Sequence, residues 1–171
     1  MKRFLLAKPS YPCRKYTTFL LAFIWTLGLV CGLCAIVVGF YDDAFRSAAA
    51  RAPSFFSIMS VLLLPILCSI LIAYIGQLWL IYPLAFIKAV GFAYVGWGIL
   101  LSFGSAGWLV RLLLLFSDCV SVPLLLWFWN KVLTEKFEAL LPSSVAAVLT
   151  AIGIGMIDYG VVSPFLVSLS R

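Results

Sequence analysis

The sequence predicts an all-α, polytopic transmembrane bundle of about five spans, and three observations carry the prediction. Residues 54–87 hold no charged side chain, a stretch too long for a helix in a soluble core. The composition is 65% hydrophobic, 16% aromatic and 11% charged, with a mean hydropathy of +1.18, whereas a soluble domain carries roughly a quarter charged residues. Lys2, Arg3, Lys8, Arg14 and Lys15 all precede the first long apolar run. That asymmetry orients a membrane protein with its N-terminus in the cytoplasm.

At 171 residues the chain allows one domain, because spans of about 20 residues each consume most of the length. The basic head covers residues 1–16, the membrane domain 17–166 and an external tail 167–171. The first span is expected at 17–40. Its uncharged run exceeds the roughly 7 to 15 apolar residues of a cleavable signal, so it should remain as an anchor. Asp42, Asp43, Arg46 and Arg51 then cancel in an external loop, and Pro53 suits the first turn of the second span, expected at 54–75.

Gly76 and Gln77 interrupt the aliphatic run and mark a short cytoplasmic turn before a third span at 78–103. The glycines and serine of F-G-S-A-G, 103–107, read as a tight external turn, followed by a fourth span at 108–130. Lys131, Glu135, Lys136 and Glu138 form a short cytoplasmic link with an amphipathic helical pattern. Pro142 and Ser143 open the last span at 143–166. Tryptophan and tyrosine favour the headgroup zone, which puts Trp79, Trp127 and Trp129 at the inner face and Tyr41 and Trp108 at the outer one. Trp25 and Trp97 do not fit that scheme.

The residues exclude most chemistry. Histidine is absent, which removes the usual general base, proton switch and metal ligand. The five cysteines mostly lie in apolar runs, where a thiol packs as a small hydrophobe. Cys31 and Cys34 form C-x-x-C with no second pair or βαβ context, and are read as packing residues. No catalytic residue, metal site or cofactor is expected. The net charge of +6 is dominated by the head and reads as a topology signal, so nucleic acid is not an expected partner.

Four ionisable residues fall inside spans. Lys88 lies about ten residues into the third, near half-way across the hydrocarbon at roughly 1.5 Å per residue. Asp118 lies at similar depth in the fourth, which should run antiparallel beside the third. An embedded charge is tolerated when paired, so Lys88 is expected to face Asp118. The same reasoning brings Arg111, near the outer end of span four, towards Asp158 in span five. The alternative has Lys88 and Arg111 snorkelling to headgroups.

Small residues recur at helical spacing. Gly28 and Gly32 make G-x-x-x-G in span one, Ala147, Ala151 and Gly155 continue at intervals of four in span five, and Gly91 and Gly96 thin span three. Spacing leaves open whether these stripes pack within one chain or between copies, so a homo-oligomer stays a candidate. Pro65, Pro83 and Pro123 each remove a backbone donor inside a span and can kink it.

The stretch 75–132 resembles the stage II sporulation protein M family of small polytopic membrane proteins. F-I-K-A-V-G-F-A-Y-V-G, 86–96, is similar to the family's intramembrane lysine followed by a glycine-rich aromatic helix. Gly107-Trp108, the polar break Ser117-Asp118, Pro123, and the closing D-Y-G-V-V-S-P at 158–164 extend the likeness. Asp118 departs from it where a neutral amide is expected, Asp158 replaces a longer glutamate, and the loop after span one is short. The resemblance implies a non-catalytic membrane subunit that holds cell-wall-degrading partners at the septal membrane of sporulating bacteria.

The expectation is therefore a multi-pass protein of the cell membrane, in contact with lipid and with other membrane or envelope proteins, acting as a scaffold or accessory subunit. The alternative is a small-solute or ion transporter, or its substrate-binding membrane subunit, with Lys88, Asp118 and Asp158 lining a path.

Overall fold

The structure, a computed structural model, describes residues 14–37, 54–103, 105–162 and 164. The expectations for Lys2, Arg3, Lys8, Tyr41, Asp42, Asp43, Arg46, Arg51, Pro53, Gly104 and the tail fall outside those residues. Five helices account for nearly all of the rest: α1 (Arg14–Val37), α2 (Phe55–Ile75), α3 (Ile81–Phe103), α4 (Ser105–Thr134) and α5 (Phe137–Ile157). A 3₁₀ turn, Leu78–Leu80, leads into α3, and a π-helical turn, Asp158–Val162, continues α5. The fold is all-α, and all five helices are long and apolar enough to cross a membrane.

The reason lies in the circumference of each helix. A helix packed on a soluble core shows water a polar face, yet here the outward positions include Phe19, Phe56, Leu64, Ile87 and Leu149, the most exposed of them, Phe56, at 83%. Such a surface is stable against hydrocarbon, where the backbone must satisfy itself, as a helix does.

The helices run up and down. At one end Thr17 and Thr18 of α1 donate to Asn130 Oδ1 near the end of α4, at 3.3 and 3.2 Å, and Tyr74 of α2 meets Phe137 of α5 edge-on. At the other end Phe55, opening α2, packs against Tyr159 beyond α5. Central in the bundle is α4, which touches every other helix. The most extensive packing is of α1 on α3, followed by α2 on α5, whereas α2 and α3 barely meet. Around α4 gather Ile66, Ile81, Leu125, Phe128, Trp129, Val132 and Leu133, all nearly inaccessible.

Local signals explain the helix ends. Ser54 caps α2, its hydroxyl accepting from the Ser57 N–H at 3.1 Å. Gly76 closes α2 at φ +80°, a conformation open to glycine, with its N–H donating to Ile72 O and Ala73 O. Two boundaries differ from the sequence reading. The 131–138 link contracts, because α4 continues to Thr134 and α5 starts at Phe137. Buried Val132 and Leu133 extend the core contact, the Lys131–Glu135 ion pair spans one further turn, and Pro142 consequently lies inside α5. Residues 105–107 are likewise helical rather than a loop, since first-turn N–H groups need no helical partner.

The tryptophans need correction as well. Trp129 is fully buried instead of lying at the inner face; its indole N–H donates to Ser69 Oγ at 2.7 Å, and Ser69 in turn donates to Pro65 O. Trp25, unexplained by a headgroup role, is buried against Trp129 and Phe92. Trp79, Trp127 and Trp108 are exposed, as interfacial residues are.

Candidate functional site: a charge cluster inside the bundle

Lys88 on α3, Arg111 and Asp118 on α4 and Asp158 after α5 come together in one electrostatic neighbourhood, but not in the pairs expected from depth. Arg111 Nη1 donates to Asp118 Oδ2 at 2.6 Å, within α4 itself. Seven residues separate the two, which is two turns and roughly 10.5 Å of axis on one helix face, a gap that the long arginine closes by lying along the helix. Neither the Lys88–Asp118 nor the Arg111–Asp158 pair is among the ion pairs of the described residues.

The arginine has a prepared seat. A Cβ on Gly96 of α3 would come within 3.0 Å of the Arg111 guanidinium carbon, so glycine leaves the room that the planar group fills. The ring of Phe92, one turn earlier, receives the guanidinium at 5.1 Å, a cation–π contact that is stronger where water is scarce. With their side chains 22% and 19% exposed, the pair is largely withdrawn from the lipid face.

Lys88 is held differently. Its Nζ donates to the carbonyl of Val61 on α2 at 2.8 Å. That carbonyl would ordinarily bond the N–H of residue 65, and residue 65 is proline, which has none. The lysine therefore supplies the donor that α2 lacks and joins the two helices that otherwise barely touch. Asp158, 8% exposed, accepts from Ser117 Oγ of α4 at 2.7 Å. It opens the π-helical turn, an irregularity frequent at functional positions. No buried side-chain nitrogen or oxygen among the described residues is left without a partner.

The small-residue stripes divide. A Cβ at Gly28 would meet Ala89 Cβ at 2.7 Å and Phe86 O at 2.8 Å, and one at Gly32 would meet Val90 O at 2.6 Å. This stripe lets α1 approach the alanine row Ala85, Ala89 and Ala93 of α3. Ala147 and Ala151 are buried, and Gly155 faces Met59 of α2. Both stripes are thus filled within the chain, leaving neither free for a second copy or a partner span. Gly91 differs: it is exposed and a Cβ there would meet nothing within 4 Å.

No protein-family model, curated protein or solved structure matches this chain.

Its reading therefore rests on the residues. Sequence reasoning found all four ionisable groups but missed Ser117, Phe92 and the Val61 carbonyl as their partners. Two signals were present. Arg111 and Asp118 share a face at a spacing of seven, and Pro65 vacates a carbonyl at a known offset. The Thr17, Thr18 and Asn130 contact carried no such signal, since it joins helices far apart in sequence.

Proposed function

We propose that this chain is a non-catalytic membrane scaffold or accessory subunit of a cell-envelope assembly, residing in the cell membrane with its N-terminus in the cytoplasm. The observation that carries the reading is how the embedded polar groups are spent: Arg111 on Asp118, Asp158 on Ser117 and Lys88 on the Val61 carbonyl. These contacts join α2 to α3 and α4 to the end of α5, the work of a rigid body rather than of a reacting site. The resemblance of residues 75–132 to stage II sporulation protein M supports the same reading, with envelope partners held at a septum as its specific form. Purification of the tagged chain from native membranes should recover defined envelope proteins in fixed ratio; a chain that always purifies alone would refute the proposal.

A second reading, transport of an ion or small solute, is favoured by the gathering of two cations and two carboxylates in one neighbourhood inside the bundle. It requires those groups to meet a solute. Solute-dependent thermal stabilisation that is lost in Lys88→Met would support transport over scaffolding.

A further inference from the structure

Lys88, half-buried, is the one cation of the cluster with no carboxylate within ion-pair distance among the described residues. Asp118 is taken by Arg111 at 2.6 Å and attracts Lys88 only from beyond ion-pair distance. The Val61 carbonyl uses one of the three N–H donors of the ammonium. Asp158 cannot come to it from a second copy, being buried behind Ser117.

The surroundings of Lys88 are open on one side. Contacts between α2 and α3 are sparse, and Val61 and Ile87 on either side of the contact are exposed. Gly91, one turn along α3 on the face of Lys88, leaves empty space where any other residue would place a side chain. Lys88 lies ten residues into the Leu78–Leu101 span, a depth at which lipid phosphate lies some 15 Å away along the helix axis. A cation there is stabilised by a carboxylate carried on another helix, and bare methylene offers it nothing.

From this we infer that the seam between α2 and α3 is the docking face for a transmembrane helix of a partner protein that carries an aspartate or glutamate near its middle, the acid pairing with Lys88 and the helix backbone settling over Gly91. The inference rests on the scaffold reading and gives it a surface and a partner chemistry. A carboxylate would complete the ammonium without displacing Val61, because two donors stay available. The shallow glycine gap admits a helix at the short distance that small residues allow.

A defined probe tests it. The purified full chain is placed in lipid nanodiscs with a synthetic leucine-rich transmembrane peptide bearing a central glutamate, and association is followed by energy transfer against peptides with glutamine or leucine at that position. The glutamate peptide should bind roughly tenfold more tightly than the leucine peptide, with glutamine between them. Lys88→Met should abolish the advantage. Since Lys88→Met also removes the Val61 contact, Gly91→Leu provides a second variant that blocks the gap and leaves that contact in place, and it should weaken the glutamate peptide as strongly. Equal binding of the three peptides, or a glutamate preference that survives both variants, overturns the inference. So does peptide-independent transfer between two labelled copies that Gly91→Leu removes, which assigns the seam to a second copy. None of these results touches the recovery of envelope partners from native membranes, so the docking face can fail while the scaffold stands.

Discussion

The contact between Arg111 and Asp118 ties two largely buried charged side chains to each other. An ion pair away from water is a weak net stabiliser, but removing one partner strands the other, at a cost of about 3–5 kcal/mol. Arg111→Met is expected to lose stability on that scale in detergent or bicelle unfolding, whereas Arg111→Met combined with Asp118→Leu should recover most of it. Single and double variants that lose equal amounts would show that the pair does not act as a unit. At Ser69 the expected loss is smaller: Ser69→Ala leaves the Trp129 indole N–H without its acceptor, worth about 1–3 kcal/mol, measured in the same assay. Depth along the span made Lys88, Arg111, Asp118 and Asp158 legible as a group from the sequence. Their partners were not legible, because a partner is decided by which nearby atom has lost its own. Asp118 faces an arginine on its own helix, and Lys88 finds a carbonyl that a proline vacated.

Among the elements, α2 and α3 show how a helix defect becomes a joint. If Lys88 serves α2 by replacing the absent N–H of Pro65, restoring that N–H should make the lysine dispensable. The double-mutant cycle of Pro65→Ala with Lys88→Met is expected to show a coupling of about 1 kcal/mol or more, with Lys88→Met costing less in the Pro65→Ala background; additive effects would break the link. The α1–α3 joint depends on close approach. Gly32→Ala drives a methyl to 2.6 Å from the Val90 carbonyl oxygen, and because that atom is backbone α1 must move away, at a cost of about 1–3 kcal/mol. Gly91→Ala, with open space around it, should be neutral or slightly stabilising, and the contrast between the two glycines is read in one thermal series. Element type was legible throughout, since every long run is apolar on all sides. The Gly76 break was legible because Gly76 and Gln77 interrupt the aliphatic run, and the glycine supplies the left-handed conformation that closes α2 there. The α4–α5 junction was missed because Lys131 and Glu135 look like a solvated link in one dimension, while Val132 and Leu133 between them face the core. Pro83, expected to interrupt α3, sits at its third residue, where a missing donor leaves the helix intact.

For the molecule as a whole, charge and packing agree on one polarity. The four embedded groups cancel, the residues Asp42, Asp43, Arg46 and Arg51 cancel, Lys131 and Lys136 are balanced by Glu135 and Glu138, and apart from Arg171 the surplus lies in Lys2, Arg3, Lys8, Arg14 and Lys15. The structure puts the start of α1, Arg14 and Lys15 included, beside the α4–α5 junction through Thr17, Thr18 and Asn130. Exposed Trp79, hydrogen-bonded to Gln77, and exposed Trp127, which carries the Lys131 ammonium at 5.7 Å, lie at the same end, as aromatic and cationic residues do at a headgroup boundary. If all five helices of the described residues cross the membrane, the start of α1 and the end of α5 face different compartments. Reporter fusions should find residue 1 in the cytoplasm, with the 38–53 loop and residue 171 outside. Replacing Lys2, Arg3, Lys8, Arg14 and Lys15 together by glutamine should produce a substantial inverted fraction, because the head charges hold the first helix against translocation. Replacing Arg46 and Arg51 should leave the orientation unchanged. Both ends reporting from one compartment would remove a crossing from the bundle, and with it the antiparallel neighbours that bring Lys88, Arg111, Asp118 and Asp158 together.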